Sequence, residues 1–386
     1  MVKRLLCQLF LGLLAAVSAA VCPAQQLSES AAMDSAADGK TKIALIVAPK
    51  GSPLSQAAAP IRQGILAASK EDGGENKFEF IAYDLTSPQN VGAVLKKAAE
   101  DGAVLAFGPV SRDAVEAVAG LPYLPLPVVA INRASAETTP ELLLSIDISA
   151  ESEVDQLARI AVDNTADKKD LALNSFVILC TTDPYDERIA RAMEKAIVKA
   201  GATAERRHVS PEQIAYLRQE MRGKAFRGVF FAMNAQNASL LRPYLPPELP
   251  VFGTSYTNPM HLSDEMRATT QSNDLVGMVT LEMPAERGPN ALVAEYMKTL
   301  SRAAPEEVQM FALGVDAWYL GTSWLNWTQK IEIPQGQTGK LHFDRKEGSR
   351  VQRELDKAVV NPARVSGGSK ADDLVQFTET AEEAGL

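Results

Sequence analysis

Short apolar runs alternate along this chain with segments whose apolar residues recur at helical spacing. The first run, Lys42-Ile43-Ala44-Leu45-Ile46-Val47-Ala48, is stopped by Pro49, Gly51 and Pro53. A helix is predicted over 60–69, with Ile61, Ile65, Leu66 and Ala68 on one side. Strands over 78–83, 103–107, 126–131 and 142–146 then alternate with helices over 87–100 and 111–119. The rhythm restarts with a helix over 150–163, a strand over 175–180 and a helix over 183–200 that ends at Gly201. A strand over 204–209 leads to Ser210-Pro211, an N-cap followed by proline at the first helical position. Strands over 227–232 and 249–253 flank a helix over 236–244. Alternation of this kind predicts βαβ units and parallel sheets.

After Met260 the pattern changes. A strand is expected over 266–271 and helices over 290–301 and 305–330. In the last helix Phe311, Val315, Trp318 and Trp324 recur beside Leu313, Ala317 and Leu320, a stripe read as core. The prediction is an α/β protein of two lobes, each a doubly wound, mostly parallel sheet flanked by helices. The expected division is 41–147 with about 258–332 for lobe 1, and about 148–257 with 333–360 for lobe 2. Such folds place a cleft at the carboxyl ends of the strands.

The ends of the chain differ from its middle. Lys3 and Arg4 precede an apolar run from Leu5 to Val21, interrupted only by Gln8 and Ser18, with small residues at Ala19, Ala20 and Ala24. This reads as a signal peptide over 1–24. Cys22 is a lipidation candidate, although Val21 before it is a poor fit to a lipoprotein cleavage site. Cleavage after Ala24 competes, with Cys22 and Ala24 as the small −3 and −1 residues. A flexible tether is expected over 25–40 and a disordered Ser/Gly/Asp/Glu-rich tail over 361–386.

Charge narrows the partners. The chain carries 39 basic and 48 acidic residues, a formal charge of −9. Loss of the first 24 residues removes Lys3 and Arg4 and leaves 37 against 48, or −11. No basic face for nucleic acid is expected, and no basic run for anionic lipid, so a membrane would be reached only through an acylated Cys22.

Catalytic motifs are missing. His208, His261 and His342 are far apart in sequence and lack C-x-x-C or H-E-x-x-H partners, so no metal site is expected. Neither a nucleophile elbow, a P-loop nor a dinucleotide fingerprint occurs, so no cofactor and no enzymatic site are expected. Cys180, at the end of an apolar strand, reads as a small core residue. The strand-end loops offer Ser52, Ser111, Asn132 and Arg133 from the first lobe. Asp183, Tyr185, Asn234, Ser255 and Tyr256 come from the second. Together they form a candidate cleft for a small polar ligand, and the alternative for Ser, Asn and Asp at such strand-to-helix turns is helix capping alone.

Several of these segments resemble known proteins. Lys42–Pro49 followed by Ala58-Ala59-Pro60-Ile61-Arg62-Gln63-Gly64-Ile65 looks like the opening of type I periplasmic-binding proteins. So does Gly108-Pro109-Val110 followed by Leu126-Pro127-Val128-Val129-Ala130-Ile131-Asn132-Arg133. Phe311-Ala312-Leu313-Gly314-Val315-Asp316-Ala317-Trp318 and Gly336-Gln337-Thr338-Gly339-Lys340-Leu341-His342-Phe343-Asp344 resemble the LppC/LpoA family of penicillin-binding protein activators. That resemblance spans roughly 41–355. It implies a type I periplasmic-binding-protein-like domain that binds a class A penicillin-binding protein and stimulates peptidoglycan synthesis. It also implies a periplasmic location, with outer-membrane anchoring for lipidated members. Better-known activators carry a helical-repeat domain ahead of this one, where here the short tether is expected. The other expectation is a solute receptor of an ABC transporter, closing on an amino acid or similar ligand.

Overall fold

The computed structural model describes residues 39–361, apart from 137, 166–173, 211–213, 222–225, 264–265, 268–269, 302–303 and 327–328. The expected signal peptide, nearly all of the tether, Cys22 and the tail from 362 lie outside the described residues.

The first lobe is built on strands β1 (Thr41–Val47), β2 (Phe78–Asp84), β3 (Ala103–Phe107), β4 (Val128–Ala130) and β5 (Leu143–Ser145), alternating with helices α1 (Ala59–Glu71), α2 (Val91–Glu100) and α3 (Arg112–Ala119). Every strand pair is parallel, in the order β2-β1-β3-β4-β5. The second lobe begins with α4 (Ala150–Asn164), β6 (Ser175–Cys180), α5 (Pro184–Lys199) and β7 (Thr203–His208). It continues through α6 (Ile214–Met221), β8 (Gly228–Ala232), α7 (Ala235–Leu241), β9 (Val251–Gly253) and β10 (Val279–Glu282). Its parallel part runs β10-β9-β8-β6-β7, the same winding order as the first sheet. The two halves are therefore one topology used twice.

The remaining elements are α8 (Ala291–Thr299), α9 (Pro305–Leu325), an antiparallel sheet of β11 (Lys330–Ile333), β12 (Lys340–Asp344) and β13 (Gln352–Glu354), and β14 (Asp356–Val359). Two expectations are corrected here. Residues 266–267 are helical, not extended, because Ser263 opens a helical turn by accepting the Met266 N–H with its hydroxyl and the Arg267 N–H with its carbonyl. The strand of this region is β10, which pairs with β9 and, antiparallel, with β14. Leu262, Leu275 and Met278 accordingly sit in the core of the second lobe rather than the first. Conversely, Leu341 and Phe343 join the first-lobe core although 333–360 had been expected in the second.

The chain crosses between lobes three times, at about 146–149, 282–284 and 345–355. The first and third crossings run side by side. Ser145 N–H donates to Ser349 O at 2.7 Å and Val351 N–H to Ser145 O at 2.9 Å. Gln156 of α4 holds both backbone groups of Leu355, at 2.6 and 2.9 Å.

Each sheet is covered on both faces, as continuous apolar strands require. One face of the first sheet packs against α1 and α9 through Ile61, Ile65, Phe311, Val315 and Trp318. Its other face meets Val91, Leu95, Val115 and Val118. Trp318 is fully buried, meets Phe78 edge-on at 4.9 Å, and donates its indole N–H to Asp72 at 2.7 Å. The stripe is core, as expected. Helices α1 and α9 touch backbone to backbone: a Cβ on Gly64 would lie 2.1 Å from Phe311 O, and one on Gly314 2.0 Å from Ile61 O. Gly314→Ala should therefore destabilise the chain by about 3 kcal/mol in urea unfolding through forced separation of the helices. Gly288→Ala, where nothing lies within 4 Å of the added carbon, should stay within about 0.5 kcal/mol of wild type.

Candidate functional site

The nine cleft candidates all lie beyond or beside the carboxyl ends of parallel strands, four on one lobe and five on the other, but most of their polar atoms are committed locally. Ser52 accepts the Ser55 N–H at 3.2 Å, and Ser111 accepts the Ala114 N–H at 3.4 Å at the start of α3. Asp183 accepts the Tyr185 N–H at 2.7 Å and Asn234 the Asn237 N–H at 2.9 Å, opening α5 and α7. These are N-caps, each satisfying a donor that the first helical turn leaves orphaned. Asn132 donates to Val110 O at 2.9 Å and accepts the Arg133 N–H at 2.8 Å, fixing the loop after β4. The Arg133 guanidinium faces Arg350, a like charge that adds to burial in lowering the Arg350 pKa.

On the second lobe the structure brings Tyr185 and Tyr256 together edge-to-face, with ring centroids 4.8 Å apart. Burial, followed by nearby carboxylates, pushes each phenol up to about 12. Both remain neutral at any physiological pH, and Tyr256 reaches Asn234 and Asp186. Ser255 faces away from solvent, donating its N–H and hydroxyl to Glu153 at 2.7 and 2.6 Å.

Residues that the sequence did not single out hold the centre of this region. Glu151, at the start of α4, is buried and receives Arg112 of the first lobe at 3.4 Å and Arg188 of the second at 3.1 Å. Arg188 also lies 5.0 Å over the Tyr185 ring. One carboxylate therefore bridges the lobes through two guanidiniums, each still partly exposed. Three residues from three separate elements leave no spacing in the sequence, which is why the cluster was missed.

A second buried network lies behind the first. Glu286 sits 2.8 Å from His261 Nε2 and accepts Gln309 Nε2 of α9 at 2.6 Å, while His261 Nδ1 lies 3.0 Å from Ser255 O. Burial alone would lower the His261 pKa, but Glu286 overrides it and the imidazole is pushed up to about 9. His261 and Glu286 are thus an ion pair at neutral pH, and the pair joins the second lobe to α9.

The described residues contain no helix long and apolar enough to cross a membrane. The repeated sheet order and the three crossings define a two-lobed protein of the periplasmic-binding-protein type. Over residues 18–217, more than half of the 386-residue chain, the sequence matches the family model described as "LppC putative lipoprotein", and the chain belongs to that family. No curated protein sequence shows significant similarity. Among solved structures, a "putative branched-chain amino acid ABC transporter" of Chromobacterium violaceum is 26% identical, with a TM-score of 0.65 over 83% of this chain and all of that one. The C-domain of LpoA (YraM) from Haemophilus influenzae, a regulator of PBP1A, is 18% identical with the same TM-score, over 83% of this chain and 98% of that one. Against full-length LpoA from Haemophilus influenzae the TM-score is 0.65 at 15% identity, over 84% of this chain, and the chain spans 58% of that protein's length.

Glu153 yields a pH prediction. Its carboxyl is pushed up to about 7, chiefly by complete burial, against the opposing charge of Arg353 and the two Ser255 donors. A folded pKa above the ordinary value near 4.5 makes the ionised side chain a cost that grows as pH rises from about 4.5 to about 7. Glu153→Gln retains an acceptor for the Ser255 N–H and presents a donor to its hydroxyl. Its stability relative to wild type should therefore rise through that window, approaching a gain of about 3 kcal/mol at pH 8. Urea unfolding at pH 5 and pH 8 measures this. A difference that does not change with pH would show an ordinary pKa at Glu153.

Proposed function

We propose that this chain is a non-enzymatic envelope regulator that binds and stimulates a class A penicillin-binding protein during peptidoglycan synthesis. Membership of the LppC family supports the reading, as does likeness to the C-domain of LpoA, whose description is that of a PBP1A regulator. The observation that carries it is the state of the cleft. A receptor for an amino acid needs a free acid for the ammonium group. Here Glu151, the buried acid between the lobes, is already neutralised by Arg112 and Arg188. Four of the candidate side chains cap helices, and Ser255 is spent on Glu153. The outer surface of the lobes is left to carry recognition.

The solute-receptor reading keeps one support, the 26% identity with the Chromobacterium violaceum protein across its whole length. Two measurements separate the readings. Immobilised chain should retain purified class A penicillin-binding proteins at micromolar concentration and accelerate glycan polymerisation by them. Loss of both results would sink the regulator. Thermal-shift screening with amino acids and small carboxylates should leave the melting temperature unchanged, whereas a rise of several degrees would establish the receptor.

Location follows the same logic. A lipoprotein family supports the periplasm or the membrane face bordering it. Acylation of Cys22 gives an anchored protein, and cleavage after Ala24 a soluble one. The mass of the processed N-terminus distinguishes them, and Cys22→Ser abolishes lipid incorporation only in the first case.

A further inference from the structure

At the edge of the second sheet three chemically matched side chains converge. β6 and β7 pair in parallel so that Cys180 and His208 stand opposite each other at their ends. α5 starts just beyond and carries Glu187 over the same point. The Cys180 sulfur, a His208 ring nitrogen and a Glu187 carboxylate oxygen all lie within 4.8 Å of one another. The chain thus brings thiol, imidazole and carboxylate from three elements to one place, where no short motif reveals them.

We propose that Cys180, His208 and Glu187 form a binding site for a single divalent transition-metal ion of zinc type. A sulfur, nitrogen and oxygen donor set with a fourth position for water suits such an ion, with bonds of about 2.0–2.3 Å. Ligands around it would stand roughly 3–4 Å apart, so the sulfur needs to close in by about 1 Å while the imidazole and the carboxylate part to admit the ion. The existing contacts favour this. His208 Nε2 and Glu187 Oε1 already face each other in contact, and an ion bound by both would leave the neutral imidazole with its proton on Nδ1. Glu187 Oε2 is held by Arg206 at 3.2 Å and Arg191 at 3.4 Å, which fixes the carboxylate as outer-sphere partners do.

The geometry also gives access and a direction of approach. His208 is about half exposed, Glu187 largely covered and Cys180 fully buried, so an ion arriving from solvent meets the imidazole first and the sulfur last. Binding releases the thiol proton to solvent as the metal–sulfur bond forms. Without metal, burial and then the Glu187 charge push the Cys180 thiol up to about 11, so it waits in its neutral form as an ordinary core side chain. A bound dication reverses that balance by stabilising the thiolate directly. The neutral resting state explains how a core cysteine can also be a latent ligand.

Cobalt(II) is the probe, used on the full chain with Cys7→Ser and Cys22→Ser so that Cys180 is its one thiol. The expected result is one cobalt per chain, a sulfur-to-cobalt charge-transfer absorption, and loss of that absorption on adding zinc. His208→Ala removes an exposed side chain and should leave the fold intact by circular dichroism while weakening cobalt binding at least tenfold. Glu187→Gln should weaken it similarly, and Cys180→Ser should abolish the absorption. No charge-transfer band at millimolar cobalt, or a band of undiminished affinity in His208→Ala, would overturn the proposal.

Discussion

The carboxylate of Asp316, buried in the middle of α9, accepts three hydrogen bonds from one turn. Gln337 N–H, Thr338 N–H and the Thr338 hydroxyl lie at 2.8, 2.7 and 2.6 Å. Burial raises its pKa to about 6 against these donors, so the group is held at a cost that only a complete donor set can offset. From that point the waist is assembled. Gln337 receives the Ala285 N–H on its carbonyl and the Asn290 N–H on its side chain, tying down the second crossing. Thr338 O receives Arg353, whose other nitrogen reaches Ser152 of α4, tying the third crossing to the second lobe. One acid therefore coordinates two of the three connections between lobes. The same helix meets α1 at Gly64 and Gly314, so the first-lobe core and the waist share a single rigid strut.

These contacts explain why the two family-like segments belong together. Phe311–Trp318 supplies Gly314 for the helix crossing and Asp316 for the turn, and Gly336–Asp344 is the turn it grips. In sequence they look like separate motifs, and in the structure they are two sides of one interaction. Much else was readable for ordinary reasons. Strands such as 103–107 and 175–180 are continuous apolar runs bounded by breakers, and the helices between them carry clean apolar stripes. What could not be read was pairing at a distance. β10 is four residues of mixed character, and its place in the second sheet depends on β9 and β14 rather than on its own pattern. The division of the chain after residue 258 was misjudged for that reason.

The cleft shows the same divide more sharply. Ser, Asn and Asp at strand-to-helix turns were visible as both caps and ligand contacts, and the structure shows them capping. The residues that determine the character of the cleft are Glu151, Arg112 and Arg188, which the pattern treats as surface charges on three unrelated helices. Their importance arises only when the lobes come together. A buried carboxylate between two guanidiniums is strongly favoured over the same carboxylate alone, since removing both partners would leave an uncompensated buried charge.

This bridge has a consequence for how the fold can be used. A receptor works by closing on a ligand whose charges complete the site, so the empty site must be electrostatically incomplete. Here the acid between the lobes already holds a guanidinium from each, and the Asp316 turn and the His261–Glu286 pair brace the waist behind them. Closure has little to gain from an ammonium group at Glu151, because that group would have to displace Arg112 or Arg188. A partner protein meets no such competition, since it needs only a surface whose shape is held constant. The constraints that stiffen the waist are therefore those that favour docking over capture.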